Sequence, residues 1–414
     1  MRPSRSFCGA ALACAAVLAT VLPAGAAPAK FTDRNEYDLV LTIRAEAAPQ
    51  KRLGLLDQWK AKYPKTELLQ VRQELYFSAY QSLGDNAHML SVAREMVTTG
   101  GDNLVGLYWT TLLVPESKEV SPDLLAAGEN AAKQLLAGLD KYFGPAAKPA
   151  ATTPEAWKKR RAEVEVLGHR ALGWIQWQRA DYPGAGAEFT KCLEIDPTAA
   201  EISAWHGTVL ALDRTPGNQA AALWQLARAA SYRDAGALPE GQRRQMNGLL
   251  ERLYVAYHGD VTGLDQLKTA SAASPRPPAD FNVESASAAA LRKQDEELNR
   301  TNPQLAAWIR MRRKLESPEG DAYFATLKST PLPKLKGTLL RVAPANRPKE
   351  LVLGVGDATA EEVIVKLETA FPNEAEFGTV LEFEGTIDAF TKAPFSLTVL
   401  SSPDKVEGWP ARRK

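Results

Sequence analysis

Residues 164–199 read VEVLGHRALGWIQWQRADYPGAGAEFTKCLEIDPTA, and this stretch restricts the fold more than any other. It divides into two short helices joined by a tight turn. Leu172-Gly173 lies inside the first helix and Ala180-Asp181-Tyr182 makes the turn. Ala185, Phe189 and Cys192 then recur at spacings of four and three along the second helix. Asp196-Pro197 stops that helix, since proline cannot continue it. Small residues let the two helices touch, and the aromatic fills the space between them. A pair of this size cannot bury its apolar face alone, so it must stack on neighbours of the same kind.

The rest of the chain from residue 31 to 273 supplies such neighbours. It reads as about six antiparallel helix pairs: 35–46 with 50–62, 67–83 with 86–98, 103–114 with 122–143, 155–179 with 182–195, 201–212 with 219–231, and 240–257 with 261–272. Turn residues punctuate them at Gly84-Asp85, Gly100-Gly101, Thr215-Pro216-Gly217-Asn218 and Gly259-Asp260. Residues 144–154 carry three prolines and read as a linker or long loop. In the fifth pair Gly207, Trp224 and Ala227 stand where Gly173, Phe189 and Cys192 stand in the fourth.

The pattern of residues 164–199 resembles the tetratricopeptide repeat (TPR). That resemblance implies an α-solenoid whose first helices line a concave groove for an extended peptide. Carried over by matched position, the groove residues are Arg170, Trp174, Trp177 and Gln178. The other reading of the tryptophans is packing against Trp157 or the neighbouring pair, since aromatics at helical spacing are usually core. Gln176 stands where the family commonly has an aromatic, which allows a slight rotation of the helix.

A second character begins after Pro275-Arg276-Pro277-Pro278. Residues 275–330 read as a Pro-rich linker and connecting helices, with Leu305, Trp308, Ile309 and Arg312 on one face of a helix over 303–315. Residues 331–410 then carry five β-like runs, 337–342, 350–355, 362–367, 378–387 and 395–400. Leu351, Leu353 and Val355 alternate with their neighbours, as do Val363, Val365 and Leu367. Residues 369–377 leave room for one or two helical turns. Five short strands suit a small closed barrel, because closure removes exposed edges. Their order resembles the OB-fold, in particular its bacterial tRNA-anticodon-like relatives, with Gly337 and Gly385 where strands must bend sharply. The fold class expected is therefore multidomain α and β: a TPR-like solenoid over 31–274, then a small OB-like barrel.

Residues 1–26 carry a targeting signal. Arg2 and Arg5 precede an apolar run from Phe7 to Leu22, Pro23 breaks it, and Ala24-Gly25-Ala26 supplies a small-x-small cleavage site. The expectation is export to the periplasm or medium, with cleavage after Ala26 or Ala27. The run is too short and alanine-rich for a strong membrane span. Ala11-Leu12-Ala13-Cys14 is a poor lipoprotein box, so a lipid anchor is not expected. Cys192 is then the one mature cysteine, at a small-residue position of the repeat, where burial is expected rather than reactivity.

No catalytic constellation is found. The four histidines, His88, His169, His206 and His258, have no metalloprotease spacing, and there is no Cys-x-x-Cys, nucleotide fingerprint or nucleophile elbow. His169 and His206 fall on first helices of adjacent pairs. They read either as a metal site or, more simply, as polar residues at a helix interface. Glu361-Glu362, Glu374, Glu376, Glu382 and Glu384 make the barrel locally acidic; Glu382 and Glu384 alternate along one strand, where a solvated face is a simpler reading than acid–base work. Eleven Lys+Arg face twelve Asp+Glu over 334–414, and the whole chain has net charge +1, so nucleic acid is not an expected partner. The barrel's Phe383, Phe390 and Phe395 are expected in its core. No cofactor is expected. The reading is a non-catalytic scaffold binding a protein or peptide. Its alternatives are an envelope small-ligand or glycan-binding protein or hydrolase with its site in the barrel, and a structural spacer.

Overall fold

The computed structural model describes residues 33–410, apart from 101, 214 and 216. The expected signal segment and the alternative anchor at Cys14 lie outside the described residues. Two compact units divide between Val283 and Glu284.

The first unit is helical throughout: α1 Arg34–Ala45, α2 Pro49–Lys62, α3 Leu69–Leu83, α4 Asn86–Gly100, α5 Leu104–Leu113, α6 Pro122–Ala137, α7 Leu139–Phe143, α8 Pro154–Gln178, α9 Tyr182–Ile195, α10 Ala200–Leu212, α11 Asn218–Ser231, α12 Glu240–His258 and α13 Leu264–Ala273. The starts follow from local chemistry. Asn103, Ser121, Thr153 and Asp181 each cap a helix by accepting a backbone N–H, and Pro122, Pro154 and Pro183 open the helical turns that follow. Gly84 and Gly259 end α3 and α12 in the left-handed region that glycine adopts without strain.

The first five expected pairs are present as α1/α2, α3/α4, α5/α6, α8/α9 and α10/α11, and each packs on the next. The sixth differs. Helices α12 and α13 both pack on α11 instead of forming a hairpin core of their own, with Leu250, Tyr254, Leu264 and Leu267 joining Leu223 and Leu226 in one cluster. Residues 144–154 are tied down rather than free: Trp157 Nε1 donates to Gly144 O at 3.1 Å, and Lys148 Nζ donates to Thr152 O at 2.7 Å.

Close approach of α8 and α9 depends on Gly173. A Cβ placed there would lie 2.6 Å from Phe189 Cε1. Gly207 plays the same part between α10 and α11, but against Leu226 and the Ala222 carbonyl rather than Trp224. The expected equivalence of Trp224 with Phe189 therefore fails by about half a helical turn. Trp224 faces away, packed edge-on against Phe281 at 4.7 Å with its Nε1 donating to Ser274 O.

The second unit holds α14 Ala286–Thr301, α15 Pro303–Glu316 and α16 Gly320–Leu327, then β1 Pro331–Ala343, β2 Glu350–Gly354, β3 Val363–Leu367, β4 Val380–Lys392, β5 Phe395–Ser401 and β6 Val406–Glu407. The strand order is β1-β2-β3-β5-β4, closed by pairing of β4 with β1, and β6 adds to β4. The β3–β5 pair is parallel and the other pairs are antiparallel. This is a closed five-stranded mixed barrel, compatible with the OB-like order expected. At Gly385 a Cβ would sit 2.3 Å from Leu400 O, so only glycine lets β4 and β5 approach there.

Two features of this unit differ from expectation. Residues 369–377 form no helix. Apolar closure of the barrel comes instead from α15, whose Trp308 and Leu315 are buried in the barrel core with Leu339, Leu353, Phe383 and Val399. Buried Glu362 fixes this arrangement: it accepts backbone N–H groups from Val355, Gly356 and Asp357 and pairs with Arg312 of α15. The segment 275–330 is accordingly shared between the units. Phe281 and Val283 pack with the first, and α14–α16 belong with the barrel.

Gly173→Ala tests the helix contact. Alanine is the better helix former by roughly 1 kcal/mol, yet overpacking against a ring that cannot yield costs about 1–3 kcal/mol. A lower midpoint in urea unfolding, with unchanged slope, is the expected outcome.

Candidate functional site

The expected groove residues lie on α8, and the structure gives each a different environment. Trp174 and Trp177 are 5% and 7% exposed, inside the main apolar cluster of the first unit. Their surfaces are used in packing, and Trp177 meets Trp205 of α10 with ring centroids 6.4 Å apart. Gln178 is half-buried at the last turn of α8. Four tryptophans of this region make ring contacts in three places: Trp157 packs on Phe143, Trp177 on Trp205, and Trp224 on Phe281.

Arg170 is the centre of a polar group spanning three pairs. Its Nη2 donates to Glu116 Oε1 at 3.0 Å, just past the end of α5. Its Nε lies 3.5 Å from Glu201 Oε2, in the first turn of α10. Its guanidinium carbon stands 4.7 Å over the Trp205 ring. Glu201 and Trp205 are four apart on α10 and so share a face. Helices α5, α8 and α10 are the first helices of consecutive pairs, so Arg170 joins the very elements that the repeat pattern predicts will form one surface.

The electrostatics follow from burial. Desolvation works against the Arg170 charge, but Glu201 and Glu116 outweigh it and hold the guanidinium above its ordinary range. Burial pushes the Glu201 carboxyl up, Arg170 opposes this, and the nearby Glu116 charge adds to the rise. The group holds two carboxyl groups against one guanidinium. Three buried atoms in it have no hydrogen-bond partner: Arg170 Nε, Glu201 Oε1 and Trp205 Nε1. Buried polar groups are rarely left in that state without a reason.

His169 and His206 are not brought into one cluster. His169 Nδ1 lies 2.6 Å from Glu188 Oε2, and Lys191 Nζ donates to Glu188 Oε1 at 2.8 Å. Burial would raise the Glu188 carboxyl, but these two partners hold it below the usual range. His206 is buried beside Phe189, with centroids 6.5 Å apart, and its Nδ1 has no hydrogen-bond partner. Among the described residues there is no group of three or more His, Cys, Asp or Glu placed to hold a metal. Burial pushes the Cys192 thiol up to about 12, so it stays protonated in the core.

The barrel carboxylates are dispersed. Glu382 lies 3.7 Å from Lys334, Glu361 pairs with Arg341 at 3.3 Å, and Glu374, Glu376 and Glu384 are exposed. The barrel interior is filled by apolar side chains, Phe383 and Phe395 among them. Among the described residues no helix is long and apolar enough to cross a membrane. Compared with protein-family models, curated proteins and solved structures, the chain matches none.

The sequence reading singled out Arg170 but not its partners Glu116 and Glu201. Their signal was available only in part: Glu201 and Trp205 share a helix face, whereas Glu116 follows a helix end with no periodicity to place it.

A pH measurement checks the burial of His206. Burial pushes its imidazole down to about 4 from its ordinary value of 6.5. The native state therefore holds it neutral, and the unfolded chain binds the extra proton. Stability from this group is present above pH 6.5 and lost as pH falls toward 4. The loss is up to about 3 kcal/mol at 1.36 kcal/mol per unit. Unfolding free energies of the wild type and His206→Gln, compared from pH 7 to 4, should show a shallower fall in the variant.

Proposed function

We propose that this chain is an exported, non-catalytic scaffold of the tetratricopeptide-repeat kind, which holds a protein or peptide segment on the first helices of its third to fifth pairs. One observation carries the reading. The Arg170 group links α5, α8 and α10 and leaves buried donors and an acceptor unmatched within the chain. An extended peptide carries both donors and acceptors along its backbone, so it can complete such a group where a purely apolar ligand cannot. Pre-formed helices reduce the ordering cost of binding, and a central Arg and Trp are the residue types that most often dominate binding energy. Export rests on the sequence of residues 1–26. Within the proposal the buried Trp174 and Trp177 support the surface from beneath, and Arg170 and Gln178 lie at it. The barrel is a second module whose filled interior suits a spacer or docking unit.

A photocrosslinking amino acid placed at Gln178 should capture a partner from an envelope extract. The same reagent at exposed Ala187, on second helix α9, should not. Equal capture at both positions, or capture at neither, contradicts the proposal.

A further inference from the structure

We infer that the Glu116–Arg170–Glu201 group is an anchor for a positively charged group of the bound segment, a protonated amine or a guanidinium. The inference rests on the scaffold reading above and names what its surface selects.

Charge balance is the first argument. One guanidinium, Arg170, is shared between two carboxyl groups, and Glu116 and Glu201 each have Arg170 as a salt-bridge partner. Their side chains are 22% and 25% exposed, while that of Arg170 between them is 11% exposed. The acidic groups thus form the accessible edge and the cation the covered centre. An incoming cation meets carboxylate before it meets guanidinium.

Hydrogen bonding is the second. Glu201 uses Oε2 toward Arg170, and its Oε1 is an acceptor with no donor. An ammonium or guanidinium brings donors that fit such an acceptor, and a ligand carboxylate brings none. Trp205 is the independent sign that the site is incomplete. It is 7% exposed, touches Arg170 through its ring, and has an indole N–H with no acceptor. A peptide carbonyl beside the cationic group supplies that acceptor. A ligand carboxylate displacing Glu116 from Arg170 would only exchange one anion for another.

Two sources share this chemistry, a lysine or arginine side chain and a chain N-terminus. Four labelled decapeptides on a Gly/Ser background separate them by fluorescence anisotropy with the full chain. The first is capped at both ends and carries two lysines. The second is uncharged with a free amino terminus, the third uncharged and capped, and the fourth capped with two glutamates. The expected result is binding of the first, the second or both at least about tenfold tighter than the third. Glu116→Gln and Glu201→Gln should each weaken it, with Glu155→Gln, exposed elsewhere on α8, as the unchanged control. Circular dichroism melting verifies that each variant is folded. Equal or tighter binding of the third or fourth peptide, indifference to both glutamine variants, or binding of none overturns the anchor. If the uncharged peptide binds with hydrogen-exchange protection on α5, α8 and α10, the scaffold reading stands without a cationic anchor. If no peptide binds and a crosslinker at Gln178 captures nothing, both fall.

Discussion

An amphipathic helix pair has more apolar surface than its own two helices can cover, and that shortage governs the first unit. Each pair here offers a face to the next, from α2 on α3 through α9 on α10. The faces fit because glycines remove side chains where helices cross. Gly173 leaves room for Phe189, and Gly207 leaves room for Leu226. Phe189 in turn packs on Trp205 of the following pair, with centroids 5.8 Å apart, so one aromatic serves both its own pair and its neighbour. Stability of such an arrangement is shared between adjacent pairs rather than held in one central core.

The same stacking creates the polar group. Helices α5, α8 and α10 are brought side by side by their apolar faces, and charges carried near their surfaces then meet. Glu116, Arg170 and Glu201 gain one another's company at the cost of lost hydration. A fully matched network would lock the crossing; this one leaves an acceptor and two donors over. The contrast with Arg228 is informative. That guanidinium donates to the carbonyls of Ser271, Ala272 and Pro197, at the ends of helices, and lies over the Tyr232 ring. Its terminal nitrogens are used inside the chain, while its Nε, like that of Arg170, has no hydrogen-bond partner. Arg170, by contrast, pairs with two carboxyl groups from neighbouring pairs.

Much of this architecture was legible in the sequence. Spacings of three and four placed most of the helices, and strict alternation placed the strands, because both periods follow directly from backbone geometry. What escaped was whatever depended on distant partners. The position of Trp224 was misjudged since its partner Phe281 lies beyond the last helix of the unit. Residues 369–377 left room for a helical turn that did not form, and the helix packed into the barrel core is α15, whose apolar face was recognised but not its destination. The Arg170 group was half visible: the arginine lay on the helix face that was singled out, while its carboxylates come from elements whose contact is decided by packing. Trp174 and Trp177, singled out on the same face, went to the core because α8 is covered on more than one side.

Native-state hydrogen exchange under mild denaturant addresses the central claim directly, that neighbouring pairs hold one another up. The account predicts opening free energies that change stepwise along the chain, lowest for α1 and α2, whose only large packed neighbour is α3, and highest around α8 to α11. A single opening free energy shared by every helix from α1 to α13 would contradict it, since that is the behaviour of one indivisible core.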